Sequence, residues 1–151
     1  MRSFFDTNIL VYLFDAGSPE KQGAAREILE REVLEGRAVL STQVLQELYV
    51  AVTRKLAAPL PPADAERAVR DLATLPTVQI DKDLILRGIR RSRASVLSFW
   101  DALILEAALE ANATTLFTED LQHGQVIGGL RIANPFVPPA PPPPSGKERS
   151  R

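Results

Sequence analysis

Four carboxylates stand at positions where an ionised side chain is costly or unusual. They are Asp6, Glu47, Asp101 and Asp120. The first follows the apolar pair Phe4-Phe5, the last follows a strand-like run at 116–118, and the other two lie in amphipathic helical patterns. A buried carboxylate without a partner costs several kcal/mol, so it protonates, pairs with a base or binds a cation. If the four acids converge, a cation is the favoured solution.

Asp101 is the sharpest of the four. Its helical neighbours at −4, +3 and +7 are Leu97, Ile104 and Ala108, which are all apolar. This spacing predicts that Asp101 lies on the buried stripe of its helix, where a site role is favoured over a purely structural one.

The other three acids each have a structural alternative. Asp6 could cap a helix that starts near Ile9, and Asp120 could form a turn after its strand. Glu47 could be a charge at the edge of an apolar stripe. Together, the four are a more specific signal than any one of them.

Composition narrows the chemistry. The chain has 151 residues, 45% of them hydrophobic, and can bury roughly two-thirds of its unfolded surface in one core, so we expect one domain. It has no cysteine and one histidine, His123. Thiolate metal sites and two-histidine acid–base catalysis are therefore excluded within one chain, and His123 is expected to be a loop residue. Oxygen ligands without sulfur favour Mg²⁺ or Mn²⁺ over Zn²⁺.

Net charge and hydropathy bear on the binding partners and the cellular location of the protein. The net charge of −1 gives no overall attraction to nucleic acid, but clustered acids would mask a basic surface elsewhere on the molecule. No segment approaches the roughly 18 to 20 apolar residues of a membrane span. We expect a soluble, cytoplasmic protein.

Short apolar strands alternate with helical patterns along the chain. Strands are predicted at 3–5, 38–40, 77–80, 115–118 and 130–132. Helices are predicted at 9–14, 19–34, from 41 or 42 to about 57, 64–75, 82–94 and from 98 onward. The inner face of the helix at 19–34 is expected to comprise Ala24, Ile28, Val33 and Leu34. This order predicts an α/β fold with a short parallel sheet of about four to five strands covered by helices.

The topology predicts where the acids meet. In parallel sheets, ligands bind beyond the carboxyl ends of the strands, and Asp6 and Asp120 each follow a strand. Glu47 and Asp101 lie in early turns of helices that begin near the same edge. An acidic site is therefore expected there, and its natural substrate would be a phosphodiester.

The last residues have a different character. The run 137–144 is rich in proline and cannot donate the hydrogen bonds of a sheet. We predict a folded domain at 1–136 and a proline-rich, disordered tail at 137–151.

Several motifs are familiar in this order and spacing. They are Phe4-Phe5-Asp6-Thr7-Asn8, Gln46-Glu47-Leu48-Tyr49, Ser98-Phe99-Trp100-Asp101-Ala102-Leu103-Ile104 and the run from Leu116 to Gly124. They resemble the PIN-domain ribonucleases, particularly the VapC-like toxins of bacterial toxin–antitoxin pairs. The resemblance covers the chain from its start to about Phe136.

The resemblance implies a fold and an activity. The family has the PIN fold and is implied to act as a Mg²⁺-dependent endoribonuclease. Asp6, Glu47, Asp101 and Asp120 would form its acidic metal-binding and catalytic quartet, with Asn8 and Thr118 as supporting polar residues. The resemblance also implies a homodimer and a small antitoxin protein that blocks the site. Hydrolysis by water would leave a 5′-phosphate and a 3′-hydroxyl.

Other residues are candidates for substrate contact. Arg87, Arg90, Arg91 and Arg93 lie on one predicted helix and could contact the RNA backbone, although a solvated helix face is the simpler alternative. Trp100 is expected to pack in the core, with base stacking as the alternative.

Two other functions compete with the ribonuclease hypothesis. One is a non-catalytic PIN fold that only binds RNA or a partner. The other is a haloacid-dehalogenase-like phosphatase, which is disfavoured because its pattern needs an aspartate where this chain has Asn8.

Overall fold

The computed structural model describes residues 1–138. The strands are β1 (Arg2–Phe5), β2 (Ala38–Ser41), β3 (Thr77–Val78), β4 (Ala113–Phe117), β5 (Val126–Ile127) and β6 (Leu130–Ala133). The α-helices are α1 (Thr7–Val11), α2 (Pro19–Leu34), α3 (Thr42–Arg54), α4 (Pro62–Leu72), α5 (Lys82–Ala94) and α6 (Phe99–Glu110), and a 3-10 helix (Tyr12–Phe14) extends α1. Most of the predicted proline-rich tail, 139–151, lies outside the described residues.

The strands form one six-stranded sheet in the order β3-β2-β1-β4-β6-β5. Five strands run parallel, and β5 pairs antiparallel with β6 at the edge. All four residues of β2 are buried, so both faces of the sheet are covered at this strand. The predicted α/β class and parallel sheet are confirmed, while β5 was not predicted.

Local signals set the helix boundaries. Helix α2 begins at Pro19, because proline suits the first helical position, and it is followed by Gly36 at a φ of +69°, where glycine is favoured. The side chain of Asp81 caps α5 by accepting a hydrogen bond from the amide of Leu84 at 2.9 Å. Both helices occupy the predicted residues.

The predicted inner face of α2 is wrong at two residues. Leu34 is 86% exposed and Val33 is 41% exposed, whereas Ala25 and Glu32 on the same helix are buried. Glu32 accepts hydrogen bonds from Ser3 of β1 and from the guanidinium of Arg37, whose Nη2 lies 2.5 Å away. The inward-facing position is thus occupied by an ion-paired acid rather than an aliphatic side chain.

Helix α6 contributes heavily to the core. It is buried over most of its length, from Ala102 to Leu105 and again at Ala107 and Ala108. Its first turn, which holds Trp100 and Asp101, reaches solvent, and so does Glu110 at its last residue. Among the described residues, no helix combines the length and apolar character needed to cross a membrane.

Candidate active site

Strand pairing positions the first acid. Phe5 of β1 lies opposite Phe117 of β4, so the next residues, Asp6 and Thr118, leave the sheet side by side. The hydroxyl of Thr118 donates to Asp6 Oδ2 at 2.7 Å, and the amide of Thr7 donates to Oδ1 at 2.7 Å. Asp6 therefore caps α1, as the structural alternative predicted, and also faces the end of β4.

Asp6 is the one fully buried acid of the four, with 5% of its surface exposed. Burial raises its pKa from 3.8 to about 7; the hydrogen bonds from Thr118 and Thr7 oppose this rise, and the charges of Asp120 and Glu47 add to it. The hydrogen bonds therefore do not offset the loss of hydration. A cation close to Asp6 would stabilise its ionised form.

Glu47 lies in the second turn of α3 and is partly exposed. Its Oε1 accepts from the hydroxyl of Thr7 at 2.7 Å, and its Oε2 is 3.4 Å from the side-chain nitrogen of Gln43. Gln43 also donates to the backbone carbonyl of Trp100 at 3.3 Å. Two neighbours thus link Glu47 to the start of α1 and to the start of α6.

Asp101 lies in the first turn of α6, where Ser98 caps the helix by accepting from the Asp101 amide at 3.1 Å. Its side chain is only partly buried, whereas Ile104 and Ala108 are buried, so the prediction that Asp101 lies on the buried stripe of its helix is confirmed only in part. Burial nevertheless raises its pKa; hydrogen bonding with Ser98 lowers it, and the charge of Asp120 raises it.

Asp120 follows β4 and is exposed. The side-chain amide of Asn8 donates to its Oδ2 at 2.8 Å, and the amide of Asp120 donates to the hydroxyl of Thr118 at 3.1 Å. The side-chain oxygen of Asn8 accepts from the amide of Glu119 at 3.3 Å. Asn8 thus holds the segment after β4 against α1.

All four acids line one cavity of about 740 Å³. Asp15 adds a fifth carboxylate, and Lys55 is the only cationic side chain among the described residues that line it. Within residues 1–138, none of the four acids forms an ion pair. The cavity is therefore strongly acidic and lacks internal neutralisation.

Comparison with known proteins identifies the family. The sequence model of the PIN domain matches residues 3–127. The chain belongs to the PIN domain family. The family predicted from the motifs is thereby confirmed, and the phosphatase alternative loses its basis. No curated protein sequence matches the chain significantly.

Solved structures share this PIN fold. A toxin–antitoxin complex from Klebsiella pneumoniae matches with a TM-score of 0.64 and 23% identity, over 89% of this chain and 98% of the other. The toxin VapC20 of Mycobacterium tuberculosis, described as cleaving the sarcin–ricin loop, matches with a TM-score of 0.59 and 21% identity, over 78% and 89%. VapBC2 from Rickettsia felis, bound to a promoter DNA fragment, matches with a TM-score of 0.62 and 18% identity, over 89% and 98%.

The donor chemistry of this PIN domain suits a hard divalent cation. The cavity offers carboxylate oxygens from four elements or their ends, and no sulfur. As they stand in residues 1–138, no three Asp, Glu or His side chains are grouped closely enough to enclose a metal ion. Asp120 is exposed and Asp101 is partly exposed, so solvent reaches both carboxylates.

The four arginines of α5 lie apart from the acidic cavity. Arg91 pairs with Glu106 at 2.6 Å and Arg87 with Glu110 at 2.9 Å, so both neutralise acids of α6. Arg90 and Arg93 are exposed. None of the four lines the cavity. Their contact with RNA stays a prediction.

Several residues of the site escaped the sequence reasoning. Tyr12 donates to Glu119 at 2.7 Å, and Lys21 lies 2.5 Å from the same carboxylate and 4.9 Å from the Tyr12 ring centre. This cluster fixes the residue before Asp120. Trp100, expected in the core, is instead 60% exposed and lines the cavity. His123 is an exposed loop residue, as expected, and its Nδ1 accepts from the amide of Asn134 at 2.9 Å.

Proposed function

We propose that this protein is a metal-dependent endoribonuclease that hydrolyses RNA phosphodiester bonds and acts as the toxin of a toxin–antitoxin pair. The observation that carries the proposal is the convergence of four carboxylates, free of ion pairs among the described residues, on one cavity. Membership of the PIN domain family and the shared fold of toxin structures support it.

In this proposal the four acids hold the metal. Asp6, Glu47, Asp101 and Asp120 would bind Mg²⁺, or Mn²⁺ in its place. When bound, the metal would polarise a phosphate oxygen and lower the pKa of a water molecule. Asn8 and Thr118 act as positioning residues, because they hydrogen-bond to Asp120 and Asp6.

The remaining residues favour water as the nucleophile. Among the described residues, no histidine lines the cavity. Attack by the RNA 2′-hydroxyl commonly uses two imidazoles as acid and base, and this cavity does not offer them within residues 1–138. An acid of the quartet, ionised near the metal, accepts the proton of the attacking water. The products would carry a 5′-phosphate and a 3′-hydroxyl.

The test is cleavage of single-stranded RNA by the purified chain. We expect cleavage in Mg²⁺ or Mn²⁺, none in EDTA, and 5′-phosphate ends on the products. An Asp6→Asn, Asp120→Asn double variant, purified in parallel, controls for contaminating ribonucleases. Undiminished cleavage in EDTA would refute the metal mechanism, and RNA binding without cleavage would point to a non-catalytic PIN module.

The partner would be a small antitoxin protein, and the toxin would act as a cytoplasmic homodimer. Two of the structures that share the fold are toxin–antitoxin assemblies, which supports an antitoxin partner. The test is to search the DNA beside the gene for a small open reading frame and to co-express its product with this chain. We expect co-purification and loss of RNA cleavage in the complex. Sedimentation of the isolated chain as a monomer would contradict the homodimer.

A further inference from the structure

The cavity is a trough with different ends. Helix α3 forms one wall, with Gln43 and Glu47 in its first half and Lys55 just beyond its last residue. Lys55 lies eight residues after Glu47, which is about 12 Å along a helix axis. Trp100 and Asp101 stand at the opposite end, where α6 begins beside Gln43. Along α3, Glu47 therefore lies between Gln43, which contacts Trp100, and Lys55.

Trp100 is held in place although it is exposed. Its carbonyl accepts from Gln43 at 3.3 Å, and its ring meets the ring of Phe99 at 68° with 5.0 Å between the centres. Yet 60% of its surface is exposed, and it borders the cavity beside Asp101. A fixed, open indole contributes little to the core and offers apolar area to a ligand.

The charges of the trough limit how a polyanion can lie in it. Five carboxylates repel phosphates near the centre, so a nucleotide beside Asp101 is best held through its uncharged base. Lys55 is exposed and forms no ion pair within residues 1–138, so it is free to contact a phosphate. Stacking on aromatic side chains requires bases that are unpaired.

We propose that the trough binds single-stranded RNA, with one unpaired base stacked on Trp100 and a backbone phosphate at Lys55. The scissile bond would then lie between these contacts, at the carboxylates, where a bound metal would offset their repulsion of its phosphate. This assignment rests on the proposed ribonuclease function and specifies its substrate. It explains why an indole is exposed at the mouth of an acidic cavity, and why the one cation of the described lining stands at the far end.

Trp100 is the sole tryptophan of the chain, so its fluorescence reports on this position alone. The chain, with Asp6→Asn to keep the RNA whole, is titrated in Mg²⁺ with a short single-stranded RNA. We expect quenching by this RNA. We expect none by an abasic ribose-phosphate oligomer of equal length, which keeps the phosphates but lacks bases. A duplex of the same sequence should quench weakly, because its bases are already stacked.

Variants then test the two contacts, with binding measured in the Asp6→Asn chain and cleavage in the chain that keeps Asp6. Trp100→Ala should weaken binding of fluorescein-labelled RNA by about 5- to 150-fold, and Trp100→Phe should retain most of the affinity. Val96→Ala is the matched control, since Val96 is exposed but does not line the cavity. Lys55→Gln should reduce the salt dependence of binding by roughly one released counterion, whereas Lys82→Gln, outside the cavity, should not.

The outcomes separate this inference from the ribonuclease proposal. If the wild-type chain cleaves single-stranded RNA while Trp100→Ala binds and cleaves normally, the Trp100 contact is refuted and the nuclease stands. Base-dependent quenching without cleavage by the wild-type chain supports the contact and refutes the nuclease. Equal quenching by RNA and by the abasic oligomer, or quenching only by an added protein partner, overturns the base-stacking assignment.

Discussion

The four acids differ in burial, and this difference bears on their chemistry. Asp6 is buried at the strand end, Glu47 and Asp101 are partly exposed, and Asp120 is exposed. Sequence reasoning treated all four as costly, but desolvation is severe only for Asp6. Glu47, Asp101 and Asp120 therefore keep carboxylate oxygens within reach of solvent, whereas Asp6 does not.

Replacing Asp101 tests the chemistry at the rim. Asp101→Asn removes a charge and nearly preserves shape, so we expect RNA cleavage in Mg²⁺ to fall at least about 100-fold, or roughly 2.7 kcal/mol of transition-state stabilisation. Folding should survive, because Asp101 is only partly buried. The measurement is the initial cleavage rate of a labelled RNA, with Asp83→Asn on the exposed start of α5 as control. A variant with full turnover would remove Asp101 from the mechanism.

Asp6 should make the metal-free protein less stable as pH rises. Its pKa is 3.8 unfolded and about 7 folded, so between these values the folded chain holds a proton that the unfolded chain has released. The free energy of unfolding therefore falls with rising pH over this interval. Asp6→Asn should flatten that fall when urea unfolding is measured in EDTA across the interval. An identical pH slope in the variant and the parent would contradict the raised pKa.

At the scale of elements, the sequence predicted the boundaries of helix α2 correctly but not which of its residues are buried. The helix at 19–34 could be predicted because the backbone geometry of Pro19 favours the first position of a helix and that of Gly36 favours its end. The inner face was mispredicted because Glu32, an acid in sequence, is buried through partners at Ser3 and Arg37. Hydrophobic periodicity cannot recognise a charge whose hydrogen-bond partners come from other segments of the chain.

Glu32 should therefore stabilise the contact between α2 and β1. Its pKa is lowered from 4.5 to about 2, chiefly by the hydrogen bond from Arg37 and also by that from Ser3, although burial opposes them. Glu32→Gln should reduce the free energy of unfolding near neutral pH by about 1.5 to 3 kcal/mol. The deficit should shrink as pH falls below 4.5, because the parent loses the same interaction on protonation. Urea unfolding measures this, with exposed Glu30→Gln as control; equal stability of Glu30 and Glu32 variants would refute it.

At the scale of the molecule, the motifs predicted the family and the sheet edge, but not the cross-links around the site. The Gln43 contact with Trp100 spans 57 positions, and the Tyr12 contact with Glu119 spans 107. Such contacts depend on how whole elements pack. Strand β5 was missed for a related reason, since two residues carry no periodicity and its pairing with β6 follows a turn at Gly128 and Gly129.

Phe136 allows a test of where the folded domain ends. Its ring meets Tyr12 at 80° with 5.1 Å between centres, and Lys21 lies 5.2 Å from it, so it packs on the cluster that holds Glu119. Phe136→Ala should lower the free energy of unfolding by about 1 to 3 kcal/mol. A chain ending at Pro138 should stay within about 0.5 kcal/mol of the parent.

Urea unfolding of the two proteins decides the boundary, with Val137→Ala as control because its side chain is 41% exposed. If the chain ending at Pro138 loses as much stability as Phe136→Ala, then residues 139–151 contribute to the fold and the predicted domain limit at 136 is wrong. If only Phe136→Ala is destabilised, the domain ends where this ring packs on Tyr12. Because Glu119 precedes Asp120, Phe136→Ala should also slow RNA cleavage more than Val137→Ala does.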